Sequence, residues 1–136
     1  MAPFKLVEHT ADIGIEVEAE SIEQLFSDSA AGMFAVISGS PPDGWPESHT
    51  IELSAPDTET LLVDWLNELL YMFEVKKFFT TKAELDISDG NRLKATVSGT
   101  KFKGIFPGTE IKAVTYHMLS VDRTVDGYET RIYFDL

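Results

Sequence analysis

At 136 residues, with a formal net charge of −12, no cysteine and no apolar run long enough to span a bilayer, the chain reads as one acidic, cytoplasmic domain. Folding at this length should bury roughly two-thirds of the unfolded surface, so one core suffices without a disulfide or thiolate zinc staple. The carboxylate excess repels phosphate backbones, which argues against direct nucleic-acid binding; it suits solubility, docking on a basic partner, or a divalent cation.

Taken in order, Phe4 to Val7 and Gly14 to Ala19 read as strands around a polar knot at Glu8-His9-Thr10-Ala11-Asp12-Ile13. In the second piece Ile15, Val17 and Ala19 alternate with Glu16 and Glu18, giving one buried and one acidic face. The knot places an imidazole, a hydroxyl and a carboxylate close together, and Gly14 is free to take unusual backbone angles. Ser21 with Gln24 three residues later is a capping box. From there Ile22, Leu25, Phe26, Ala30, Met33, Phe34 and Ile37 recur at helical spacing, predicting a helix over Ile22 to Ile37.

The breakers of Ser38 to Pro46 make a surface loop, and His49 to Ser54 a short strand. Asp57 can cap a second helix over Thr58 to Val75, with Glu59 at its positive end and Lys76-Lys77 at its negative end. Its seam of Leu61, Leu62, Trp65, Leu66, Leu69, Leu70 and Phe73 is core-like, although Trp65, Tyr71 and Phe73 admit a reading as a ligand-stacking set. Ala83 to Ile87 and Leu93 to Val97 form a hairpin about Ser88-Asp89-Gly90-Asn91, and after a looser segment Ile111 to Val121 and Tyr128 to Phe134 make two more strands. Two helices at intervals and hairpins in the second half predict an α+β fold. Its expected form is a two-layer, largely antiparallel sheet with both amphipathic helices packed on one face, in a single domain over residues 1–136.

Chemistry has few candidates. His9, His49 and His117 lack the paired helical spacing of a zinc hydrolase, and neither a phosphate-cradling glycine loop nor a Gly-x-Ser-x-Gly elbow is present. Should the last strand pair near the knot, Asp12, Asp135 and the carboxylate of Leu136 would crowd together. Crowding raises a carboxylate's pKa unless a cation joins the group, and all-oxygen ligands suit calcium or magnesium. The competing reading is a frayed, solvated terminus. Lys112, likewise, reads from physics alone as a solvated strand lysine.

Four stretches in series carry a resemblance: His9-Thr10-Ala11-Asp12-Ile13, Trp65-Leu66-Asn67-Glu68-Leu69-Leu70-Tyr71, Glu110-Ile111-Lys112-Ala113-Val114-Thr115-Tyr116-His117 and Phe134-Asp135-Leu136. Together the chain resembles the archease family from first strand to last residue. The resemblance implies an accessory protein, not an enzyme: an activator of the RtcB-type RNA ligase of transfer-RNA splicing and RNA repair, promoting its guanylylation and multiple turnover. Carried over, it implies a metal site at Asp12, Asp135 and Leu136, with Lys112 and His9 as partner-activating residues. Where relatives often have Gly-Glu, this chain reads Gly99-Thr100-Lys101, which bears on contacts of the following loop with the ligase. Two other classes compete. One is a small metal-dependent phosphoesterase with His9 as general base, the other a chaperone-like binding module with an exposed apolar patch.

Overall fold

The structure, a computed structural model, describes residues 3–9 and 12–136; the side chains of residues 7–9, 12, 117 and 118 lie outside the described set. Thr10 and Ala11 of the predicted knot, and the side chains of His9, Asp12 and His117, therefore fall outside it. The element order is β1 (Phe4–His9), β2 (Asp12–Ala19), α1 (Ile22–Ile37), β3 (Trp45–Ser54), α2 (Thr58–Lys76), β4 (Phe78–Ser88), β5 (Arg92–Lys101), β6 (Ala113–Arg123) and β7 (Tyr128–Asp135).

The α+β, antiparallel expectation holds, with the strands shared between two sheets. One has the order β1-β2-β7-β6 and the other β3-β5-β4, every pairing antiparallel. Both helices bridge the two: α1 lies on β2 and β4, α2 on β6 and β4. In the four-stranded sheet Ile15, Val17, Ile132 and Phe134 are buried, while Glu18, Glu129 and Arg131 alternate with them on the exposed face, where Arg131 bonds Glu16. That alternation follows from the two-residue period of a strand.

Both helix starts carry the expected caps. The Ser21 hydroxyl accepts from the Gln24 amide at 3.1 Å, and an Asp57 carboxylate oxygen accepts from the Thr60 amide at 2.7 Å. The Asp57 carboxyl is held below its usual range by hydrogen bonds to Thr60, side chain first and backbone second. Its stabilising effect is present above the ordinary carboxylate pKa and is lost as pH falls through the lowered value. Helix α2 ends on Lys77 in the left-handed region, φ 57°, which turns the chain straight into β4.

Trp65 belongs to the core. It is fully buried, and its indole N–H donates to the Phe26 carbonyl at 3.0 Å, tying α2 to α1. Phe73 packs in a cluster with Phe34, Phe79, Phe102 and Phe106, ring centroids 4.8–6.1 Å apart, whereas Tyr71 is exposed. Packing, and not ligand stacking, explains the spacing of Trp65 and Phe73.

Beside this cluster the loop after β5 and the last turns of α2 enclose a groove of about 490 Å³, lined by Phe73, Phe102, Phe106 and Ile111 with Glu74 and Glu110 on its rim. Partial burial, and then the charge of Glu110, push the Glu74 carboxyl up. A raised carboxylate destabilises the fold once ionised, so the cost is absent at acid pH and complete above the raised value. Glu74→Gln should accordingly raise the urea midpoint at neutral pH, and the gain should vanish below about pH 3, where Glu74 is protonated in both states. Equal midpoints at neutral pH would show that Glu74 is not under strain.

Candidate functional site

The strand register assembles the predicted residues. His9, the last residue of β1, stands opposite Asp12, the first of β2; Asp12 stands opposite Asp135, the last of β7; Asp135 stands opposite Ala113, the first of β6. One row of positions thus crosses all four strands at one end of the sheet, and directly opposed positions share a face. Lys112 immediately precedes Ala113, and its amide donates to the Asp135 carbonyl at 2.8 Å. Ile111, 1 % exposed, anchors the segment from below, while Lys112, Asp135 and Leu136 are all exposed. The predicted flanking strands, Phe4 to Val7 and Gly14 to Ala19, run two residues further into the knot than alternation indicates, because pairing continues past the apolar positions.

Gly14 has a different role from the one expected. It sits in regular β2 opposite Tyr133, and a Cβ there would come within 2.9 Å of two Tyr133 ring carbons. The missing side chain makes room for that ring, two positions along β7 from Asp135.

A second support comes from α2. The side-chain oxygen of Asn67 accepts from the Val114 amide at 3.1 Å, fixing the start of β6 just past Lys112. Asn67 falls between buried Leu66 and half-buried Glu68, just off the apolar seam, where it reads in the sequence as an ordinary polar helix position, so no local signal marks it. His49 lies elsewhere, bonded to Glu47 at 2.6 Å and edge-on to Phe78, so it takes no part in this row.

Among the described residues no group of three or more His, Asp or Glu side chains is placed to hold a metal ion. The Asp12 side chain that the predicted trio requires is outside them. The donor chemistry nevertheless fits a hard cation. By residue type the set is oxygen-only, and such ligands suit calcium or magnesium.

The model of the Archease protein family (MTH1598/TM1083) matches residues 4–136. The chain belongs to the archease family. The protein archease of Methanosarcina mazei is 37% identical over 142 residues, covering 98% of this chain and 95% of the other, and that of Archaeoglobus fulgidus is 30% identical over 135 residues, covering 98% of both. The solution structure of Methanobacterium thermoautotrophicum protein 1598 superposes with a TM-score of 0.76 at 26% identity, over 100% of both chains. The crystal structure of "an archease, possible chaperone" from Thermotoga maritima gives 0.68 at 31% identity, over 97% of this chain and 96% of that one. Among the described residues no helix is long and apolar enough to cross a membrane.

Proposed function

We propose that the chain is a non-catalytic activator of an RtcB-type RNA ligase in the cytoplasm, serving transfer-RNA splicing and RNA repair by promoting the ligase's guanylylation and multiple turnover. The observation that carries the reading is the row His9–Asp12–Asp135–Ala113, with Lys112 tied to Asp135 beside it. Asp12 and Asp135, with the carboxylate of Leu136, would hold a divalent cation, calcium or magnesium. Such an ion supplies, when bound, a point of positive charge suited to ordering phosphate oxygens.

The protein's own residues do the rest. In this reading Lys112 presents its ammonium group to the partner from an exposed position, while its backbone is held by Asp135 and the start of β6 by Asn67. Preorganised charge of this kind stabilises a charged transition state without a reorganisation cost at the moment of reaction. His9 stands one strand further out in the same row, and in this reading it meets the partner's surface.

The test is the rate at which the cognate ligase becomes covalently guanylylated, with wild-type protein, with Asp135→Ala and with none added. Acceleration by wild type that a folded Asp135→Ala loses is the expected result, and no acceleration by wild type sinks the reading. Calorimetry adds a check on Leu136: a C-terminal affinity tag should weaken calcium binding and an N-terminal tag should not. Turnover of a phosphoester by the protein alone would favour the phosphoesterase reading instead.

A further inference from the structure

Although the chain carries 11 Lys and Arg against 23 Asp and Glu, four of its lysines gather at one end. Lys101 stands opposite Trp45 on β3 and opposite Phe78 on β4, and its ammonium group donates to the carbonyl of Lys76 at the end of α2. The Phe102 amide donates to the Lys77 carbonyl at 2.9 Å, the Lys77 ammonium lies 6.0 Å from the Phe102 ring centre, and that of Lys103 lies 5.3 Å from the Trp45 ring. Lysines 76, 77, 101 and 103 therefore share the end of the molecule that carries Trp45, with Lys103 on its ring and Lys101 paired to it through the strand.

Gly44 passes so close to the strand that a Cβ there would lie 1.9 Å from the Lys101 carbonyl oxygen, which fixes Trp45 onto Lys101. Part of the charge answers the negative end of α2. Yet among the described residues none of the four lysines is ion-paired, whereas Lys82, Lys94 and Arg131 each meet a carboxylate. Of the acids close in sequence, Glu47 is turned onto His49 and Asp43 is exposed beside Gly44; Glu74 and Glu110 line the same groove as Lys77 without forming an ion pair with it, so the charge left for a ligand rests mainly on Lys76, Lys101 and Lys103. Trp45 remains 52% exposed despite the lysine on its ring.

We infer that this end of the molecule binds a single-stranded nucleic acid, the lysines tracking its phosphates and Trp45 stacking on an unpaired base. Cations interleaved with an exposed aromatic are what such ligands need, since phosphates release counterions to lysine and every base has a face to stack. The inference reverses, for this one end, the expectation drawn from net charge. The acidic remainder would instead orient the strand by repelling it from every other face. It stands independently of the ligase reading, because none of these residues belongs to the row containing Asp12 and Asp135.

The experiment is fluorescence anisotropy of the full chain with a fluorescein-labelled uridylate oligomer of about 12 nucleotides. At about 50 mM salt a saturable rise is expected, weakening steeply at about 200 mM. Tryptophan emission should be quenched in parallel, a signal that reports on Trp45 because Trp65 is fully buried. Lys76→Gln with Lys103→Gln, which leaves the Lys101 bond in place, should weaken binding about tenfold at the lower salt. Trp45→Ala should also weaken it, and Trp45→Phe less so; circular dichroism confirms folding of each. No rise at low salt, unchanged affinity in both the lysine and Trp45→Ala variants, or equally tight binding of a polyglutamate of similar length would overturn the inference. The last outcome would mark an acidic protein as the occupant.

Discussion

Trp65→Ala is expected to lower stability by about 3–5 kcal/mol, read as a fall in the urea midpoint with an unchanged slope. Trp65 is fully buried where α2 faces α1, and its indole N–H is bonded across the interface to Phe26. Truncation opens a void that neighbours such as Leu25 and Leu62, both themselves fully buried, cannot fill without leaving their own contacts. Phe26 lies within α1, so its carbonyl retains a helical donor, and the loss is mainly one of packing. Trp65→Phe, keeping a ring but no N–H, should lose less. Against a total stability of about 5–15 kcal/mol for a domain, the alanine variant would be close to unfolding at physiological temperature. A change under about 1 kcal/mol would contradict the core assignment.

Asn67→Ala acts on the site from behind. Without the side-chain oxygen, the buried Val114 amide loses its partner, at a cost of about 1–3 kcal/mol. The more telling readout is local. Amide hydrogen exchange should accelerate at Val114, and at Lys112, whose own bond to Asp135 depends on where β6 starts. Asn67→Asp keeps an acceptor oxygen and should restore protection at Val114. Exchange rates unchanged in the alanine variant would mean that Asn67 does not position this strand, and that Lys112 is held by Asp135 alone.

Much of the helical part was legible from spacing. The apolar stripe and capping box of α1 give its observed limits, Ile22–Ile37, and Asp57 opens α2 as predicted. The strands were harder. β3 starts at Trp45, earlier than His49, because it is an edge strand that tolerates Pro46. β4 starts at Phe78 directly after the helix, since Lys77 takes the left-handed turn usually signalled by glycine. Division into two sheets leaves no mark in alternation, which says that a strand has a buried face without saying which sheet it joins.

The same limit applied to the site. Asp12, Asp135, Lys112 and His9 could be nominated from their motifs, and the pairing of β7 with β2 supplies the register that aligns them. Asn67 and the Gly14–Tyr133 contact were missed because each is a contact between elements far apart in the chain. The lysine cluster at the Trp45 end was hidden for a related reason: its members come from β3, the end of α2 and the end of β5, and no window of sequence contains them.

In the four-stranded sheet, β7 lies between β2 and β6, although it follows every other described element in the chain. A ribosome making this protein therefore releases β1, β2 and β6 before the strand that joins them exists. The helices and the β3-β5-β4 sheet can settle early, but the β1-β2 pair and β6 must wait with unsatisfied edges. The row at His9, Asp12, Asp135 and Ala113 comes into being only as the last residue of β7 takes its place, so a nascent or prematurely terminated chain would carry His9, Asp12 and Lys112 without the row.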